Sequence, residues 1–287
     1  MKFYAMDTCF YHAMGNYRWS TRCEILKDLG FDATYLSLFG KEEWDLLDLV
    51  SQSEDRYGIP VEAIYATPEC TDIKTWQQIT TRVIPALAGK TELEIAILPP
   101  AGEAGEEELK LIVIDGLHMI LEAAEKTNTR VRLYPHIGFW LSSGSQAMEL
   151  VRLIDHPLLG VMFCGFHWFA GDKQPIDELL ADAGDKLFGA NICGSKPGGM
   201  VYGYTIEPLD SGHMDNFLVM AQLKQHGYNG SIGLQGYGCG GDVYEYLSRS
   251  VNAFRAIEKR LTEHPEWGIY DSHTTPHLST FRGTASD

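Results

Sequence analysis

The sequence has no run of 18 or more apolar residues in its 287 positions. That leaves no segment for a membrane-spanning helix. It is short of positive charge: 23 Lys and Arg against 39 Asp and Glu give a net charge of −16. Binding nucleic acid through its phosphates needs a basic face, so the charge argues against that partner class and none is expected. The six cysteines (Cys9, Cys23, Cys70, Cys164, Cys193, Cys239) include no Cys-x-x-Cys pair. The opening stretch MKFYAMDTCFYHAMG lacks a long apolar core and a small-residue cleavage site. It is expected to be a first strand rather than a signal peptide, which implies free thiols in a reducing cytoplasm. Linkers, repeat arrays and low-complexity segments are also missing.

What is present is an alternation of short strand-like runs and longer helix-like ones. KFYAMDTCFY reads as strand one; a helix follows, with Thr21 and Glu24 as a capping box and Gly30 as its stop. ATYLSLF and VEAIYAT read as strands two and three, separated by one helix, KEEWDLLDLVSQSEDRYG. In the next helix, TWQQITTRVIPALAG, Pro85 is expected to make a kink or an end. ELEIAIL is strand four, and the acidic GEAGEEELK opens a long amphipathic helix, where carboxylates suit the N-terminal dipole. VRLYPHIGF, LGVMFCGFHWF, LFGANIC and SIGLQGY read as strands five to eight, each followed by a helix. Strand–helix units of this kind over residues 1–262 suit a single (β/α)8 TIM barrel, whose typical length is ~250 residues. A doubly wound open sheet would need a glycine-rich phosphate turn after strand one, and DTCFYHAMG is not one. Residues 263–287 are expected to form a C-terminal extension, either packed on the barrel or serving as an arm in a homo-oligomer. His273 and His277 within it are expected to have no metal role.

In such barrels the chemistry sits at the C-terminal strand ends. The polar residues there are Asp7 and His12 after strand one, Glu69 after strand three, and Tyr134 and His136 at strand five. Cys164 and His167 belong to strand six, Asn191 and Lys196 to strand seven and the loop after it, and Gln235 and Tyr237 to strand eight. Residues two apart share a strand face, so Tyr134 projects with His136, and Gln235 with Tyr237. The last four strand ends supply no carboxylate, and hard divalent cations want anionic oxygen ligands.

The order of these pieces resembles the xylose isomerase-like TIM barrels, the superfamily of sugar phosphate isomerases and epimerases and of AP endonuclease family 2. The likeness runs over about residues 1–258. It is carried by LKDLGFDATYLSL, VRLYPHIG, LVRLIDHPLLGVMFCGFHWFAGD and SGHMDNFLVMAQLKQHGYNGSIGLQGYG. The resemblance implies a carbohydrate ligand and one divalent metal (Mn, Mg, Zn or Co) held by Glu, Asp, His and Glu. At those positions this chain has Tyr134, Cys164, Asn191 and Gln235. The expectation is therefore a divergent member without the family's metal. Its ligand, a sugar or sugar phosphate, is expected to contact Asp7, His12, Tyr134, Cys164, Asn191, Lys196, Gln235 and Tyr237, with Lys196 able to hold a phosphate or carboxylate.

Three alternatives remain open at this point. His136 and His167 can act as acid and base without a metal, with Cys164 as a nucleophile if its pKa is lowered. The chain can equally be a non-catalytic sugar-binding or structural homologue. Cys164, His167 and His136 can also form a relocated zinc site. Elsewhere, GCGGD at 238–242 resembles an anion-binding turn into a helix. Trp140, Trp168 and Phe169 suit either ligand stacking or core packing.

Overall fold

A computed structural model of the chain describes residues 1–172 and 174–269. Strands β1 (Phe3–Ala5), β2 (Thr34–Ser37), β3 (Val61–Ala66), β4 (Glu92–Ile95), β5 (Val131–Leu133), β6 (Leu159–Cys164), β7 (Leu187–Ile192) and β9 (Ile232–Leu234) form one sheet. Its order is β1-β9-β7-β6-β5-β4-β3-β2, and every neighbouring pair is parallel. The edge strands β1 and β2 meet in a parallel bridge between Tyr4 and Ala33. Asp32 donates its N–H to Phe3 at 2.8 Å there, which brings the sheet round into a TIM barrel. Strand β8 (Pro197–Val201) lies outside the barrel, in the long loop after β7.

The helices are α1 (Trp19–Leu29), α2 (Lys41–Asp45), α3 (Leu47–Val50), α4 (Ser53–Tyr57), α5 (Ile73–Gln78), α6 (Ile84–Leu87), α7 (Glu106–Thr127), α8 (Gly144–Ile154), α9 (Gly165–Gly171), α10 (Ile176–Ala183), α11 (Asn216–Gln225) and α12 (Val243–Glu263). In α7, Glu106, Glu107 and Glu108 occupy the first turn and Lys126 the last, as the macrodipole favours. Its inner face carries Leu109, Val113, Leu117 and Leu121. Gly116 stands where a Cβ would come within 2.6 Å of the Trp76 ring, so this face packs directly on α5.

Several local expectations need correction. Helix α1 begins two residues before Thr21, with Arg18 at the N-cap and no side-chain cap, so Thr21 and Glu24 form no capping box. Gly30 does stop it, in the left-handed conformation at φ 77°. The segment 41–57 is three short helices rather than one. Its buried residues Leu47, Val50 and Ser53 recur every third position, and Leu46, Leu49 and Gln52 donate three residues back. That spacing tightens the coil toward 3₁₀ geometry. Pro85 lacks an N–H, and a π-helical turn (Ile79–Val83) precedes it before the helix ends at Leu87. Strand one stops at Ala5 and a 3₁₀ turn takes Asp7–Phe10. Strand six stops at Cys164, so Phe166 and His167 lie on α9. There, Gly165 passes so close to β7 that a Cβ would sit 2.9 Å from the Asn191 carbonyl oxygen.

Two packed layers hold the barrel. Between strands and helices lies the large apolar core, which includes Trp168 and Phe169. Inside the barrel a second cluster contains Tyr4, Tyr35, Ala63, Tyr65, Met162 and Cys164. Below it is a charged group that the strand-end inventory passes over. Arg132 and Glu94 are register partners on β5 and β4. Arg132 Nη2 approaches Glu94 Oε1 to 2.6 Å, at an angle poor for a hydrogen bond, and Nη1 reaches Glu92 Oε2 at 3.0 Å. Tyr35 donates its hydroxyl to Glu94, and Gly189 leaves the space the guanidinium fills.

All six cysteines are free. Among the described residues no helix is long and apolar enough to cross a membrane. The last barrel helix continues to Glu263, one residue past the expected boundary, and a 3₁₀ turn at Pro265–Gly268 packs back, with Gln222 and Gln225 donating to the Gly268 carbonyl. His273, His277 and the rest of the extension from 270 onward lie outside the described residues.

Candidate functional site

The C-terminal strand ends enclose a cavity of about 240 Å³. Its polar lining comes from Thr8, Ser37, His136, His167 and Gln235. Most of the wall is aromatic, with Phe39, Tyr65, Phe139, Phe166, Tyr202 and Tyr237 among its residues.

Under the cavity lies a hydrogen-bonded quartet. Pro135 follows Tyr134 and ends β5, which leaves the phenol buried at the barrel axis. Asn191 Nδ2 donates to Tyr134 Oη at 3.1 Å. The Cys164 thiol is 3.1 Å from Tyr134 Oη and 3.4 Å from Gln235 Oε1. Burial raises Tyr134 well above the ordinary tyrosine value, and the Cys164 thiol is pushed up to about 12 by burial. With two neutral amides, the quartet therefore carries no charge at neutral pH. These are the positions where the resemblance implies three carboxylates and an imidazole around a cation. A hard divalent ion needs anionic oxygen donors, and this donor set does not fit one. Among the described residues, no group of three or more His, Cys, Asp or Glu is placed to hold a metal ion.

Two histidines stand above the quartet. His136 lies in the turn after β5 and stacks on Phe139, ring centroids 3.7 Å apart. Its Nδ1 faces the Ile137 carbonyl at 2.8 Å. A carbonyl only accepts, so the proton sits on Nδ1 and Nε2 is left as an acceptor. His167, on α9, lies 3.8 Å from His136 between ring centroids. It is 3% exposed, and neither of its ring nitrogens has a hydrogen-bond partner. Burial lowers His136 to about 4 and holds His167 well below the usual imidazole value. Tyr202 closes the cavity from the β8 loop, its ring edge-on to His136 at 5.9 Å. It fits because Gly138, at φ 81°, has no Cβ; one would come within 2.5 Å of the Tyr202 ring.

The structure thus gathers Tyr134, His136, His167, Gln235 and Tyr237 around the cavity, with Cys164 and Asn191 directly bonded beneath. The other three expected contacts lie apart. Asp7 is buried beside the cavity and spends its oxygens on Ser37 N (2.9 Å), Ser37 Oγ (2.7 Å) and Tyr11 Oη (2.8 Å). That tie joins the ends of β1 and β2. His12 sits on the outer rim, edge-on to Tyr237 at 5.0 Å, in the clefts outside. Lys196 is half exposed and paired with Glu207 at 2.8 Å.

Trp140, Trp168 and Phe169 are absent from the cavity wall and pack on the core. The amides after GCGGD are already taken: Asp242 caps α12, accepting from Tyr244 N and Glu245 N. Sequence reasoning missed Thr8, Ser37, Phe39, Tyr65, Phe139, Phe166, Tyr202 and Ile206, all on the cavity wall. Alternation along YLS and EAIYA was the available signal for Ser37 and Tyr65, since both share a face with inward neighbours two residues back. Tyr202 and Ile206 carried no such signal, because a loop brings them in.

A family model described as xylose isomerase-like TIM barrel matches residues 23–242. Among curated proteins, no sequence matches this chain. Solved structures do. The 3-keto-D-glucoside 4-epimerase of E. coli superposes with a TM-score of 0.69 at 17% identity, covering 90% of this chain and 99% of its own. The IOLI protein with a bound zinc atom gives 0.71 at 17%, covering 91% and 99%. The D-allulose 3-epimerase of Methylomonas sp., in complex with D-allulose, gives 0.73 at 13%, covering 89% and 96%. At these identities the superpositions speak for the fold.

Proposed function

The chain belongs to the xylose isomerase-like TIM barrel family, and on that footing we propose that it binds a small carbohydrate at the barrel mouth without a divalent metal. The observation that carries this is the uncharged quartet of Tyr134, Cys164, Asn191 and Gln235. Its groups are bonded to one another beneath a cavity lined by aromatic rings and a few polar groups. Aromatic faces and paired donors and acceptors are what a hydroxyl-rich ring needs. Two of the superposed proteins named above are sugar epimerases.

The same geometry ranks binding above proton transfer. A general base works best with a pKa near the operating pH, and both histidines are pushed away from it by burial. Tyr134 and Cys164 hold their protons, so neither is a base or a thiolate nucleophile. Protein purified without chelators is expected to carry less than stoichiometric Mn, Co, Mg or Zn by plasma mass spectrometry. One equivalent of any of them would overturn the metal-free site. Epimerisation of a ketose that survives EDTA and is lost in His167→Ala would overturn binding without turnover.

A further inference from the structure

The cavity wall contains no Asp, Glu, Lys or Arg among the described residues. Asp7, Lys196 and Arg22, charged residues near it among those described, lie off that wall. Asp7 is buried and accepts three hydrogen bonds from Ser37 and Tyr11. Lys196 is held by Glu207 outside the cavity. Arg22 lines the outer cleft, donating to the Tyr17 carbonyl at 2.7 Å, with its guanidinium over the Phe10 ring. The quartet beneath adds only neutral groups.

Polar groups buried without a protein partner call for one from outside the fold, a ligand or a water, because buried donors and acceptors are nearly always satisfied. Two residues of the wall meet that description. His167 has both nitrogens free and Thr8 has its hydroxyl free, at 3% and 5% exposure. The tautomer of His136 adds an acceptor at Nε2. An imidazole and a hydroxyl supply donors and acceptors to a neutral hydroxyl or carbonyl. They supply no countercharge to a phosphate or carboxylate, which would have to shed its water against aromatic rings.

Taking carbohydrate binding as proposed above, we infer that the cavity selects an uncharged, unphosphorylated sugar, whose hydroxyls bond His167 and Thr8 and whose apolar face lies on the aromatic wall. Lys196, on the loop after β7, is paired with Glu207 and takes no part.

Calorimetric titration of the purified full chain tests this, with D-fructose and D-allulose against their 6-phosphates. Each neutral ketose is expected to bind at least about tenfold tighter than its phosphate, with little dependence on salt. His167→Phe is expected to lose about tenfold in affinity for the neutral ketoses, and His167→Gln, which keeps a donor and an acceptor, to retain most of it. A 6-phosphate that binds as tightly as its parent sugar, or one whose binding falls in Lys196→Ala, overturns the selection of uncharged ligands while leaving carbohydrate binding in place. Unchanged affinity in His167→Phe overturns the anchoring role. If neither form of either ketose binds, selection and carbohydrate binding fall together.

Discussion

Gln235 has the shape of a glutamate without its charge, and it is 6% exposed at the end of β9. Its Oε1 is committed to the Cys164 thiol. Gln235→Glu places a carboxyl group among a protonated phenol, a thiol and an amide. With no cation beside it such a carboxyl takes up a proton instead of staying charged, and a buried neutral polar group left uncompensated costs about 1–3 kcal/mol on protein scales. For a chain of this size that is a fall in Tm of roughly 2–12 °C. Differential scanning calorimetry is expected to show that fall, with Mn²⁺ failing to reverse it because the other three positions remain neutral. Full rescue by Mn²⁺ would mean that one carboxylate suffices to complete a site. The sequence shows four neutral residues at these strand ends, but not that they bond one another. That depends on Tyr134 reaching Cys164 and Asn191 across strand spacings that only the closed barrel sets.

Among the elements, β4 and β5 carry the largest buried polar commitment. Arg132 and Glu94 are 1% and 0% exposed. Arg132→Met leaves the Glu94 charge uncompensated and is expected to lower stability in urea by about 3–5 kcal/mol, whereas Glu94→Gln is expected to cost less because Glu92 still faces Arg132. The double change to apolar residues is expected to recover much of the loss, since a well-packed apolar replacement of both charges is often neutral. On α7, Gly116→Ala sets a methyl against Trp76, and overpacking of this kind costs about 1–3 kcal/mol. Equal urea midpoints for Gly116→Ala and wild type would show that Trp76 can shift. The 3.6-residue period of α7 was plain in the sequence because a long helix repeats it over many turns. The break of 41–57 into three pieces was not, because three-residue and four-residue spacings look alike over so short a span.

For the whole molecule, the two buried histidines set a pH dependence. Their folded pKa values lie below the unfolded value near ~6.5, so the stability they contribute is present above that value. It is lost as pH falls from ~6.5 toward the folded pKa, about 4 for His136. Buried Asp7, Glu92 and Glu94 have raised pKa values and act in the opposite sense, protonating more readily folded than unfolded. Comparing wild type with His136→Leu removes that shared background. The wild type is expected to lose up to about 2 kcal/mol more between pH 7 and pH 5 than the variant, measured by urea unfolding. Identical pH profiles would show that His136 stays hydrated.

Order along the chain was enough to determine the barrel. Eight short apolar runs, each followed by a helix-like one, admit few other architectures, and right-handed crossovers suit the parallel barrel. The sequence also determined that the last four strand ends lack carboxylates. Tertiary structure alone decided which of the polar strand-end residues meet. Asp7 turned to Ser37 and Lys196 to Glu207, while His167 came to face His136 because the chain leaves β6 as a helix. It decided, too, that a loop residue with no periodic signal, Tyr202, closes the cavity over them. Such contacts join positions many residues apart, and their geometry is set by barrel closure rather than by local pattern.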